Sequence, residues 1–142
     1  MADLDPLIRV RKHALEQKRK FLAELYRQAE ELANQKKTLL DQLEEEREKL
    51  REMEADMLSY FGPYSEAVKT RVADIDEARS KLEIRIQAAQ EDMRTSFAAF
   101  KKIEITQERR VQAEEDALNR KEAAELDEIG LELFRRQKDE KA

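Results

Sequence analysis

A chain of 142 residues that is 43% charged and 40% hydrophobic, with 2 Gly, 2 Pro and a mean hydropathy of −0.89, is too polar to close a globular core. The absence of Cys excludes a disulfide framework or a thiolate metal site and fits a reducing compartment. A net charge of −5 and a pI of ≈ 5.2 argue against nucleic acid as the partner, because phosphate binding needs a basic face.

This composition suits long helices that share a narrow apolar seam. No run of β-branched and aromatic residues alternates with period two, so no strand is predicted. No stretch approaches the roughly 18 uncharged apolar residues of a membrane span. The start, Met1-Ala2-Asp3-Leu4-Asp5-Pro6, lacks the apolar core of a signal peptide. A soluble, cytoplasmic protein with no membrane insertion is expected.

Helix one is predicted over about 5–59, capped by Asp3 or Asp5 with Pro6 in its first turn. Its seam starts Leu4, Leu7, Val10, Ala14, Phe21. It then steps by four and three through Leu25, Ala29, Leu32, Lys36, Leu39, Leu43, Glu46, Leu50, Met53, Met57 and Tyr60. Steps that repeat every seven residues specify a left-handed coiled coil. Lys36 and Glu46 interrupt the seam, but their aliphatic stems can cover it while their heads reach water.

Tyr60-Phe61-Gly62-Pro63-Tyr64 is the strongest stop signal before residue 130, and a turn is predicted over about 60–64. Gly62 can adopt the left-handed conformation that ends a helix, and Pro63 pre-sets φ for the next. Tyr60, Phe61 and Tyr64 read either as a hydrophobic plug at the hairpin end or as a docking patch. Helix two is predicted over about 65–136, with a seam of Val68, Val72, Ile75, Arg79, Leu82, Ile86, Ala89, Met93, Ser96, Phe100 and Ile103. The fold class is therefore all-α, an antiparallel coiled-coil hairpin forming a single domain.

Reversal at Gly62 would pair residue i with about residue 124 − i, setting Leu25 against Ala99 or Phe100. It would also set the basic run 9–20, six Lys or Arg against Glu16 alone, beside Glu104, Glu108, Glu114 and Glu115. Residues 41–56 are the acidic counterpart, with eight acidic residues against three basic ones. Past Ile103 the seam turns polar at Gln107, Glu114, Lys121 and Glu128. Gly130 is a candidate helix break, Leu131, Leu133 and Phe134 have no evident partner, and 137–142 reads as a frayed tail.

Catalytic equipment is not evident. His13 is the single histidine and has neither a metal-ligand set nor a dyad partner beside it. Glu44-Glu45-Glu46 point in different directions on a helix and cannot converge on a cation. Ser59, Ser65, Ser80 and Ser96 have no base in view, and no Gly-rich phosphate loop is present. A non-enzyme without metal or cofactor is expected.

Ile105-Thr106-Gln107-Glu108-Arg109-Arg110, followed by Glu125-Leu126-Asp127-Glu128-Ile129, resembles the C-terminal helix of the flagellar export stalk family, FliJ. The Leu4, Leu7, Val10 opening and the central hairpin are similar as well. The resemblance implies a stalk that inserts its paired termini into the hexameric ring of the type III export ATPase, contacts the cytoplasmic domain of the export gate and handles export chaperones. It implies ATPase contacts at Gln107, Glu108, Arg109, Arg110, Leu126, Asp127 and Glu128, with Arg9 and Arg11 beside them. It implies gate contacts at Gln35, Leu39, Gln42, Tyr64, Val68, Arg71 and Ile75. Gln42 and Arg71 depart from the more apolar residues the family can carry there. The implied protein is a monomer when free, peripherally associated with the inner-membrane flagellar basal body. The rival classes are a self-associating structural coiled coil and a holdase-like helical chaperone.

Overall fold

The computed structural model describes residues 3–52 and 58–140, which form two helices, α1 over Asp5–Leu50 and α2 over Leu58–Glu140. The helices pack against each other as an antiparallel hairpin, and no strand occurs among the described residues. The Leu4 carbonyl accepts the first intrahelical bond of α1 from the Ile8 N–H at 2.9 Å. Asp3 Oδ1 accepts from the Asp5 N–H at 2.9 Å, placing a carboxylate at the positive end of the helix dipole.

The reversal is not at Gly62. Regular helix α1 ends at Leu50, and the chain tightens through three-residue bonds from Arg51 N–H to the Glu48 carbonyl and from Glu52 N–H to the Lys49 carbonyl, both 3.2 Å. Residues 53–57, including Met53 and Met57 of the predicted seam, lie outside the described residues. Residues 60–64 belong to α2 rather than to a turn, and neither glycine has a positive φ. Pro63 lies inside α2, past its first turn, so it withholds an N–H that the helix would otherwise use. Gly130 lies within α2, and the helix continues through 137–140.

The chain divides into two units, His13–Phe97 and Met1–Lys12 with Ala98–Ala142. In the unit His13–Phe97, Leu25 is 1% exposed and packs with Leu82 and Ile86, flanked by Leu22, Ala29, Leu32 and Ala89. Leu15, Leu43, Val68 and Ser65 are buried too. In the unit of Met1–Lys12 with Ala98–Ala142, Phe100 is buried and Ile103 and Gln107 are half-buried.

The α2 seam from Val68 to Ile103 is as the heptad predicted, apart from exposed Arg79. The early α1 seam is one residue out. Leu7, Val10, Ala14 and Phe21 are exposed, whereas Leu15 is buried and Leu4, Ile8, Lys18 and Leu22 are half-buried. The four-three register of Leu25 and Leu32 runs back through Leu22, Lys18, Leu15, Ile8 and Leu4, with exposed Arg11 at the one position between Leu15 and Ile8. The cations at Arg11 and Lys18 disguised it. The Lys18 stem is half-buried, and its Nζ donates to Asp92 Oδ1 at 3.0 Å and to Ser96 Oγ.

Register within His13–Phe97 follows from the same links. Lys18 meets Asp92, Lys36 meets Asp76 at 2.8 Å, and Tyr26 Oη accepts from Gln90 Nε2 at 2.6 Å. Partner numbers add to between 110 and 116, not 124, as required when the chain turns after Leu50. Leu25 therefore meets Leu82 and Ile86 rather than Ala99 or Phe100. Most ion pairs among the described residues link turns of one helix, such as Arg27 with Glu31 and Lys101 with Glu104. Lys18–Asp92 and Lys36–Asp76 cross between the helices.

Candidate functional site

The residues expected to face an ATPase all lie in the unit of Met1–Lys12 with Ala98–Ala142. Gln107 is half-buried and holds the start of α1. Its Oε1 accepts from the Leu4 N–H at 3.2 Å, and its Nε2 donates to Asp3 Oδ1 at 3.4 Å. This contact gives Gln107 a structural task that sequence spacing did not suggest. The antiparallel course of the chain carries Arg9 and Arg11 away from Gln107 towards Phe100, so they do not flank residues 108–110. Both arginines are exposed.

From Glu108 to Glu140 every side chain is exposed while the backbone stays helical. Val111, Leu118, Leu126, Ile129 and Leu133 fall on one face at about 100° per residue, each at least half exposed, with Glu115, Glu122 and Arg136 interspersed on the same face. Phe100 and Gln107 share that face, so it continues the surface that packs upstream. The strict heptad series through Glu114, Lys121 and Glu128 drifts off it by ~20° per repeat, because a helix with no partner to supercoil around keeps 3.6 residues per turn. Leu126 thus lies on the apolar stripe, and Asp127 and Glu128 lie on the far side of the helix from it. Leu131 and Phe134 face elsewhere.

The residues expected to face the export gate all lie in the unit His13–Phe97. Four of them, Gln35, Leu39, Arg71 and Ile75, line one open groove together with Arg27, Glu30, Glu31, Asn34, Thr38 and Asp74. Gln42 is exposed outside that groove, Tyr64 is half-buried, and Val68 is 4% exposed and packs in the seam. At the groove edge the Arg27 guanidinium donates to Glu24 at 2.6 and 3.0 Å and to Glu31 at 3.2 Å. Those Arg27 bonds, with a further one from Gln28, hold the Glu24 carboxyl down at about 2, and the Arg27 guanidinium is raised in return. The polar members of the groove flank the seam at heptad-edge positions, a signal that a search for apolar periodicity passes over.

No group of three or more His, Asp or Glu side chains is placed to hold a metal ion among the described residues. No helix among them is long and apolar enough to cross a membrane.

A hairpin of two long helices, with a polar groove in one unit and an unpaired amphipathic helix in the other, belongs to the class of coiled-coil proteins that act through surfaces. The family model described as "Flagellar FliJ protein" matches residues 1–139, and the chain belongs to the FliJ family. Members of that family are non-catalytic components of flagellar export. No curated protein and no solved structure gives a significant match.

Proposed function

We propose that the chain is the stalk of a flagellar type III export apparatus. It engages the export ATPase ring through exposed α2 beyond Gln107, meets the cytoplasmic domain of the export gate through the groove of Gln35, Leu39, Arg71 and Ile75, and handles export chaperones. Its place is the cytoplasmic side of the inner membrane at the flagellar base. The observation that carries this reading is the continuous exposure of residues 108–140 in a helix that keeps an apolar stripe, a surface that folding of the hairpin leaves unused.

Arg109 and Arg110 lie where the exposed stretch begins, and charge reversal tests them. Arg109→Glu with Arg110→Glu should abolish stimulation of a purified export ATPase and leave the circular dichroism spectrum unchanged. Undiminished stimulation would remove these arginines from the interface.

A further inference from the structure

We infer that two copies of the chain associate through residues 111–140 of α2, packed antiparallel about a two-fold axis near residues 125 and 126. This goes beyond the stalk reading and does not depend on it. A two-fold interface requires a patch complementary to itself. The stripe of Val111, Leu118, Leu126, Ile129 and Leu133 supplies the apolar centre, since all five are at least half exposed.

Charge sets the direction and the register. Glu114, Glu115 and Asp116 stand near the start of the segment, and Arg135, Arg136 and Lys138 near its end. Parallel packing would place like charge beside like, which opposes association. Antiparallel packing lays the acidic cluster of each copy on the basic cluster of the other, twice per dimer. With Glu115 opposite Arg136, Leu118 of one copy faces Leu133 of the second, and Lys121 comes between the second copy's Glu128 and Glu132. Arg136 bonds Glu132 of its own helix at 3.1 Å, but both side chains are about two-thirds exposed, so that pair is readily exchanged.

The same register brings Glu122 and Glu125 of both copies near the axis. Four carboxylates there oppose the apolar contact, so the dimer is weak and reversible. It leaves the hairpin of each chain intact and covers Leu126, so it competes with any other partner that uses the same stripe.

Sedimentation equilibrium of the full chain at increasing concentration tests this. The expected result is a reversible transition from 16.8 kDa towards twice that mass, with a dissociation constant on the order of 100 μM. Arg135→Glu with Arg136→Glu should weaken it at least ~10-fold, as should Glu114→Arg with Glu115→Arg, while an equimolar mixture of the two variants recovers a dimer. Glu122→Gln with Glu125→Gln should tighten it several-fold. All six positions are exposed, and unchanged helicity would show that the hairpin stays folded. A monomer at every concentration, a dimer indifferent to charge reversal, or a mixture that fails to recover association would each overturn the proposal.

Discussion

Lys36 Nζ lies 2.8 Å from Asp76 Oδ1, joining α1 to α2 from a position that the heptad reserves for an apolar side chain. The Lys36 side chain is 29% exposed, so its stem covers the seam while its head reaches the carboxylate at the rim. A partly exposed pair of this kind contributes at most ~1 kcal/mol, less than a buried leucine would at the same place. Lys36→Leu should therefore raise the thermal midpoint, by about 1 kcal/mol of added stability, because the remaining Asp76 stays solvated. Lys36→Asp should lower it. Thermal melts followed by circular dichroism decide both.

The corrected seam of early α1 makes a second expectation. Leu15 is 3% exposed and Phe21 is 53% exposed, although spacing alone favours Phe21 as the core residue. Leu15→Ala should cost about 2–4 kcal/mol, the range for truncating a buried leucine. Phe21→Ala should cost less than about 1 kcal/mol. Urea midpoints in the opposite order would restore the register through Ala14 and Phe21.

The fold class and the seam of α2 were legible because Val68 to Ile103 keep apolar side chains at nearly every heptad position. What misled was chemistry that does two jobs. Lys18 and Arg11 are cations in seam positions, so a search for apolar spacing slid to the neighbouring Ala14 and Val10. Gly62-Pro63 carries the standard punctuation of a turn, yet both residues lie inside α2, while the end of α1 at Leu50 has no Gly or Pro to mark it. Because the pairing register depends on where the chain turns, one misplaced reversal shifted every expected cross-helix partner. The groove residues were reached through family resemblance, and burial separates Val68 from Gln35, Leu39, Arg71 and Ile75. Replacing Val68 would thus measure packing rather than docking.

Gly62 distinguishes a turn from a helix directly. A Cβ built there has nothing within 4 Å, and φ is not positive. Gly62→Ala should then stabilise the protein by less than about 0.5 kcal/mol, because the helix-interior gain over Gly is partly offset where an Ala Cβ crowds the Pro63 ring. Were Gly62 in the left-handed conformation of a turn, the same change would destabilise. The sign of the shift in urea midpoint is the readout.

Glu24 offers a test at acid pH. Hydrogen bonds from Arg27 first and Gln28 second lower its carboxyl from 4.5 to about 2. A depressed folded-state value means that the ionised form stabilises α1 fully above pH 4.5, and that this contribution fades as pH falls towards 2. Because the site is exposed, the effect on global stability is small and belongs to the local turn. A carboxyl-detected NMR titration should find Glu24 ionised well below pH 4, and Arg27→Ala should return it to the ordinary carboxylate range. A Glu24 that titrates normally in the unaltered protein would show that the ion pair is not held in solution.

Gln107 carries two explanations that one variant separates. Its side chain ties the Leu4 N–H and the Asp3 carboxylate, and it also begins the stretch assigned to the ATPase. Gln107→Ala removes both bonds, which should cost about 0.5–1.5 kcal/mol locally and speed amide exchange over the first turn of α1. Gln107→Glu should do more, since it adds a carboxylate beside Asp3 and loses the donor. If Gln107 serves the hairpin alone, ATPase stimulation falls only as far as the first turn loosens, and both variants lie on one line when stimulation is plotted against amide exchange. Stimulation that vanishes in Gln107→Ala while exchange over residues 5–8 stays at the level of the unaltered protein would place this side chain on the partner instead.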